Sequence, residues 1–564
     1  MISFIKNIFC NPTRLILTII LLATLILHLP GSFYGFPLRN TYGDEITIMG
    51  TIFKMLNDHT LRPDYPSFYH LPILIYIQLP FYIVFLLSLR LSGLFSSLAD
   101  LKDFVLSNYS YFLPFARMLS AIFAAVSVWL IYRLSKKIFK NERAALLAGF
   151  LLAFNFMFFQ VTHSARAWPS QVMMLLIAAY VYFWFFEKDK PTLKDYILVG
   201  VVSGLSAGFH LVGIFIFVVF LTLFWVKDGG GIFRLNSPGY WQKYRRFFLL
   251  PVIILSFIGL YYCLHPYGVL LYLTQSGVEK TEQGLEWSFL GNFWFYTKIF
   301  FNYETLLAIL FVPSLIWLWR RQKTAMLALM SFPVVLAGSI AYAVHAEPRF
   351  IIATMPFVIL PVAYFAEVMI SRLKSRWGRL LIYGAVGAAV LYLPLLWASK
   401  MMGENTLTLT YRWFSNTVPA NSRVVNNNFY FNLPENKEAA QAMRLTKSNW
   451  DTVERKFVSQ ADNFKLAQPR FFFITARRWE YLDSYEIEKP IKFDYLILSF
   501  WDRKGQAEAM EAFPVSKTLV QKFYPTPAVV DLTDVGNNVL RPFWTLGQVQ
   551  MTGPYVEIYK ILNF

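Results

Sequence analysis

Cysteine occurs only at positions 10 and 263 of the 564 residues. Cys10 and Cys263 lie far apart and on opposite expected sides of a membrane, so no disulfide framework holds the chain together. Charge is scarce too. Asp, Glu, Lys and Arg make up 15% of the chain, against roughly 25% in soluble proteins, and that excludes an ordinary soluble protein. No basic stripe interleaved with aromatics appears outside the apolar part, so the usual footprint of a nucleic-acid binder is missing. Internal repeats and low-complexity segments are absent, which excludes a solenoid. No small-residue cleavage site follows the apolar run 15–30, so that run is expected to stay as a first span.

Apolar runs are what the sequence has in abundance. Hydrophobic residues form 56% of it and aromatics 18%. A helix crossing about 30 Å of hydrocarbon needs about 20 mostly apolar residues, because every backbone polar group must pair internally. Many segments before residue 400 meet that need. The net charge of +18 is uneven: 32 Lys/Arg and 17 Asp/Glu in residues 1–399 leave +15, while 20 and 17 in residues 400–564 leave +3. Lys and Arg accumulate in short cytoplasmic loops. Five such loops stand out, at 135–143, 187–195, 227–246, 320–323 and 371–379. Spans near 144–160, 168–186, 194–209, 211–226, 247–264, 303–319, 325–342 and 350–370 put all five on one side. A span near 113–134 leads in and one at 380–397 leads out.

With the first span, this predicts an α-helical polytopic membrane protein of about eleven crossings, its amino terminus cytoplasmic. The apolar segment 70–95 would invert the scheme if it crossed, and Pro72 and Pro80 would interrupt its helix. Residues 33–113 are therefore expected to form one large outer loop whose apolar helices lie along the membrane surface. Charge returns after residue 400. There 471–475, 495–500 and 556–561 read as strands, and 409–417 and 435–443 as helices. The expected organisation is a transmembrane domain, 1–399, and a soluble extracytoplasmic α/β domain, 400–564.

Candidate chemistry gathers on the outer side. All seven histidines fall there (His28, His59, His70, His163, His210, His265 and His345), where each suits a structural or interfacial role better than a catalytic one. Tyr42-Gly43-Asp44-Glu45, just beyond the first span, holds adjacent carboxylates that cannot share one helix face. One would point at a reacting group; equally, Asp44 would cap the helix that follows. Arg117, Arg166 and Arg349 fall at the outer ends of spans, at the depth of a lipid phosphate, where a guanidinium either grips phosphate bidentately or snorkels to the interface. Lys280 and Lys298 lie in the loop 265–303 with Glu279, Glu282 and Glu286. Glu45, Asp64, His70 and His265 are donors that would suit Mg²⁺ or Mn²⁺ if they converged, but no tight ligand spacing appears. Tyr65, Tyr69 and Trp168 could stack on a sugar ring or belong to an interfacial belt.

A first span, then Gly-Asp-Glu, then a long outer loop resembles the GT-C membrane glycosyltransferases. More narrowly it looks like the protein-mannosyltransferase and aminoarabinose-transferase group. Further motifs follow in order: Pro66-Ser67-Phe68-Tyr69, Phe115-Ala116-Arg117-Met118-Leu119-Ser120-Ala121, His163-Ser164-Ala165-Arg166, Pro348-Arg349-Phe350 with Met355-Pro356, and Gly553-Pro554-Tyr555-Val556-Glu557-Ile558-Tyr559. Thr47 and Arg62-Pro63-Asp64 depart from the aminoarabinose-transferase pattern, which has a basic residue and Lys-Pro-Pro there.

The resemblance implies a GT-C fold and a polyprenyl-phosphate sugar donor, with a lipid, protein or glycan acceptor. It implies a plasma-membrane location and an inverting transfer in which Asp44 is the general base and Glu45 contacts acceptor, sugar or metal. Arg117, Arg166, Arg349 and Lys280 would meet the leaving phosphate, and Tyr65, Tyr69, His70, His163, His265 and His345 would line the substrate side. Protein-mannosyltransferase relatives work without a metal while oligosaccharide-transferring cousins need one, so the reading leans to none and leaves a divalent cation open. The rival readings are a transporter or lipid-sugar flippase, and a membrane scaffold with a sensory tail.

Overall fold

The computed structural model describes residues 11–562 apart from 37, 39–44, 64–71, 96, 108, 230–240, 242–243, 267–287, 343–347, 429–430, 446–469, 477, 485–491, 531 and 533–546. The described chain is mainly helical, with one small sheet near its carboxyl end. By contacts it divides into two units. One comprises Met1–Leu29, Thr60–Ile77 and Arg117–Leu395; the other comprises Pro30–His59, Gln78–Ala116 and Leu396–Phe564.

Among the described residues eight helices are long and apolar enough to cross a membrane, or ten if each of two bent pairs counts as one span. The sequence reading of about eleven counted 194–209 and 247–264. Their helices, Leu193–Phe209 and Leu249–Leu264, have only 17 and 16 residues. Conversely, Ile73–Leu91 is a continuous 19-residue helix with Pro80 inside it. Pro80 therefore does not break the helix as expected; apolar spanning helices tolerate proline where neighbouring groups take up the freed carbonyl.

Within the first unit the basic loops meet at one end. Lys137 and Lys140 both pair with Glu187. Lys227 Nζ donates to the Phe186 and Lys188 carbonyls at 2.9 and 3.3 Å, and Arg246 donates to the Pro191 carbonyl at 3.1 Å. Loops 135–143, 187–195 and 227–246 are thus neighbours, which the alternation of spans requires.

The helix Leu193–Phe209 presents Gly200, Gly204 and Gly208 at four-residue spacing to Leu249–Leu264. A Cβ at Gly204 would lie 2.8 Å from Phe257, and one at Gly208 would lie 2.4 Å from Tyr261. The bare backbones let the helices approach until the Tyr261 hydroxyl donates to the Gly204 carbonyl at 2.9 Å. Small residues every fourth position are how helices pack in lipid, where no hydrophobic drive separates helix from solvent.

The sheet of the second unit has the order β2-β1-β3-β5-β4, with β1 Arg423–Asn426, β2 Phe472–Thr475, β3 Tyr495–Phe500, β4 Lys517–Phe523 and β5 Tyr555–Ile561. β1 pairs with β2 and β3 in parallel, and β5 is antiparallel to β3 and β4. Central strands buried on both faces read as continuous apolar runs, and one core lies on each face. Val425, Leu496 and Leu498 pack with Ala439, Ala509 and Phe513; Val424, Ile497 and Val556 pack with Leu407, Phe414 and Leu38. The three expected strands are there, as are the helices Thr406–Thr417 and Lys437–Leu445.

Candidate functional site

The first unit buries a polar cluster where the first span meets two later elements. Residues Glu142–Ala153 and Phe156–Thr162 form two helices bent by 55°. Asn155 caps the second by accepting from the Phe158 N–H, so the break is written in the sequence as a capping residue. His163 closes that short helix. Its Nδ1–H donates to the Phe159 carbonyl at 2.7 Å, while Nε2 lies 3.3 Å from the Leu27 carbonyl. His28 stacks on it with ring centres 4.5 Å apart, donates from Nδ1 to the Thr24 carbonyl at 2.5 Å and faces the Thr162 hydroxyl through Nε2. Both imidazoles are thereby occupied in tying the first span to the turn 163–167.

Arg117 lies close enough for its charge to act on His163. Arg117 and Arg166 are each only 2% exposed. Burying a guanidinium costs several kcal/mol unless it is paired, and both side chains engage other groups. Arg349 is half-buried at the start of the 3₁₀ turn Pro348–Thr354, its guanidinium 6.0 Å from the Phe350 ring centre. The Trp168 ring is 6.0 Å from Phe350 and 4.7 Å from His210. Arg349 therefore stands beside an aromatic group made of Phe350, Trp168 and His210.

Two buried polar residues went unmarked in the sequence. Glu304 sits at the 112° bend between Phe289–Tyr303 and Thr305–Arg321. Its carboxylate accepts from the Met157 N–H at 2.8 Å and from that of Phe156. Those are the first donors of the Phe156–Thr162 helix, so one acidic side chain joins the two broken helix pairs. Gln160, on the same short helix, is fully buried, and neither atom of its amide meets a hydrogen-bond partner among the described residues.

In the second unit Glu45 opens the helix Glu45–Asn57 and is 1% exposed. Its charge reaches Tyr82, which packs with Phe53 and Phe112. A carboxylate in the first turn of a helix is favoured by the dipole there. In the tail, Glu557 is buried and accepts from Tyr559 at 2.6 Å, Gln506 at 2.9 Å and Tyr524.

Asp44, Tyr65, Tyr69, His70, Lys280 and His345 lie outside the described residues, as do Asp64 and the three glutamates of the loop 265–303. His265 is fully buried at the end of Leu249–Leu264, its Nδ1 3.2 Å from the Pro63 carbonyl. Lys298 is exposed and lies over the Trp294 ring at 5.5 Å. Among the described residues no three His, Cys, Asp or Glu side chains converge as metal ligands would.

Comparison with known proteins adds to this geometry. Residues 115–255, which hold both buried arginines, match the family described as dolichyl-phosphate-mannose-protein mannosyltransferase. A curated relative, the undecaprenyl phosphate-alpha-4-amino-4-deoxy-L-arabinose arabinosyl transferase 1 of Pseudomonas fluorescens (strain Pf0-1), is 23% identical over 318 residues. That stretch covers 52% of this chain and 53% of the relative; the chain thus spans about half the length of the curated relative it matches. Among solved structures, ArnT from Cupriavidus metallidurans bound to undecaprenyl phosphate has a TM-score of 0.47 at 13% identity, covering 70% of this chain and 72% of that one. The Archaeoglobus fulgidus oligosaccharyltransferase in complex with Zn and sulfate has 0.49 at 11%, covering 91% and 72%.

The fold defines a polytopic helical membrane protein with an α/β tail. The resemblance to the protein-mannosyltransferase and aminoarabinose-transferase group, drawn above from ordered motifs, is borne out by the family match and the curated relative.

Proposed function

We propose that the chain transfers a sugar from a polyprenyl-phosphate donor to an acceptor hydroxyl on the extracytoplasmic side of the plasma membrane, with inversion at the anomeric carbon. The observation that carries this reading is that the family match falls on the segment in which Arg117 and Arg166 are held out of water. Cations kept there meet the charge that develops on a departing phosphate. Arg349 serves the same phosphate.

Asp44 is the general base that takes the proton of the attacking hydroxyl, and Glu45 positions the acceptor or the sugar. A phosphate leaves without a strong acid, so a single displacement needs only one catalytic carboxylate. The arginines supply the positive charge that a metal would otherwise bring, and chelation is expected to leave transfer intact. In this reading the basic loops are cytoplasmic and the α/β tail is outside, with a lipid, protein or glycan acceptor.

Substitution of Asp44 by Ala tests the assignment. A positioned base contributes about 10²–10⁴-fold, so the variant is expected to fold, to bind donor and to lose at least about a hundredfold in transfer. Near-normal transfer overturns the base. Mass analysis of envelope glycans with and without the protein identifies sugar and acceptor, whereas a transporter or flippase would survive Asp44→Asn.

A further inference from the structure

The basic end of the first unit holds its cations in two different ways. In its first loops they meet acids: Lys136 pairs with Glu142, Lys137 and Lys140 with Glu187, and Lys188 with Asp195. Loop 371–379 joins the same end, because the charges of Arg143 and Arg379 both reach Tyr383 and Phe139 stacks on Tyr364 with ring centres 4.4 Å apart. Loop 320–323 joins it through Trp317, whose ring meets Arg321 and Arg372 alike.

In these two loops the cations have no acid to meet. Glu367 is the one carboxylate in the helices Thr305–Arg321, Lys323–Ala341, Met355–Ser371 and Arg376–Met401. It is buried and takes the Tyr383 hydroxyl. Among the described residues, Arg320, Arg321, Lys323, Arg372, Lys374 and Arg376 are exposed and form no ion pair with a carboxylate. Neither 1–10 nor 230–243, which adjoin helices of this end in sequence, contains Asp or Glu.

Two of the guanidiniums converge. Arg321 lies 5.2 Å and Arg372 4.7 Å from the centre of the Trp317 ring, and Lys323 lies 4.6 Å from that of Trp319. An exposed cation over a ring is only weakly held, and like charges gathered without a counterion repel. An anion between them relieves that repulsion, and the guanidinium fork matches phosphate. Apolar surface continues from the cations. Val312 and Ile316 are exposed one and two turns before Arg320, and Trp377, Leu380 and Leu381 are exposed beyond Arg376. Cations at helix ends with apolar side chains next to them complement a phosphate that carries hydrocarbon chains, as in basic headgroup pockets between spanning helices. The buried arginines lie elsewhere. Trp168–Glu187 has 20 residues, so at 1.5 Å per residue it sets Arg166 about 30 Å from the Glu187 end.

We infer that Arg321 and Arg372, with Lys323, hold the phosphate of an anionic glycerophospholipid whose acyl chains lie along the exposed flank of Thr305–Arg321. The site is separate from the proposed transfer and does not depend on it.

The test uses the full-length protein in detergent micelles, with lipid binding followed by native mass spectrometry. One dioleoylphosphatidylglycerol is expected to be retained more than about tenfold more tightly than dioleoylphosphatidylcholine, with about fivefold from each arginine. Excess inorganic phosphate is expected not to displace it. Arg372→Gln should lower the preference about fivefold, and Arg321→Gln/Arg372→Gln, which changes two exposed side chains, should abolish it. Lys137→Gln/Lys140→Gln removes the same charge from a neighbouring loop where Glu187 already engages it, and should keep the preference. Equal retention of the two lipids, displacement by inorganic phosphate, an unchanged preference in the arginine variants, or equal losses in the lysine and arginine double variants overturns the inference.

Discussion

Replacing Glu304 puts the joint between the two broken helix pairs to a quantitative test. The side chain is 8% exposed and its carboxylate takes the first two N–H groups of Phe156–Thr162. Alanine there leaves two buried donors without an acceptor. Each orphaned donor costs about 1–3 kcal/mol, which gives about 2–6 for the pair. Hydrogen bonds measured within membrane proteins run smaller, about 0.6 on average and up to about 1.7 each, so about 2–4 kcal/mol is expected for Glu304→Ala. Glutamine keeps one acceptor oxygen in place, so Glu304→Gln should cost about 1 kcal/mol. Reversible unfolding in mixed micelles, titrated with denaturing detergent, reads both numbers. Because the short helix ends in His163 and leads to Arg166, the alanine variant should also bind donor more weakly. An alanine variant as stable as the parent, or a glutamine variant as damaged as the alanine one, would refute the reasoning.

Three other outcomes follow from the packing and the charges. Gly204→Val should force Leu193–Phe209 away from Phe257, already 2.8 Å from where a Cβ would stand. Overpacking of this kind costs about 1–3 kcal/mol, measurable by the same titration. In the tail, burial and the Glu557 carboxylate raise the phenols of Tyr524 and Tyr559 above their ordinary 10.0. Their contribution to stability is complete below pH 10 and falls as pH rises further, because the unfolded phenols ionise first. Alkaline melts followed by near-ultraviolet circular dichroism should show that loss, and Glu557→Gln should make it shallower. Arg349→Gln should weaken donor binding more than acceptor binding; equal effects on both would count against its phosphate role.

The apolar architecture was legible because span length and loop charge are set by the bilayer. Strands β2, β3 and β5 were legible because their apolar residues run together. β4 was not, since Lys517–Phe523 is a largely exposed edge whose polar residues hide the pattern. The breaks at Asn155 and Glu304 escaped notice because hydropathy averages over a window, although a lone carboxylate between two apolar runs was a signal. The glycines at 200, 204 and 208 could be read by spacing alone. By contrast, nothing local links His28 to His163, 135 residues on, or Glu304 to Met157. Those pairings exist only once helices pack. The arginine motifs were legible as charges stranded in apolar sequence, and the structure adds that two of them are buried.

Native mass spectrometry of the purified protein, supplied with a polyprenyl-phosphate sugar and then with acceptor, tests the account's central claim most directly. The parent should release polyprenyl phosphate, whereas Asp44→Asn should hold the intact sugar-bearing lipid without converting it. Conversion by Asp44→Asn at the parent's rate, or no lipid-linked sugar retained by either protein, would contradict it.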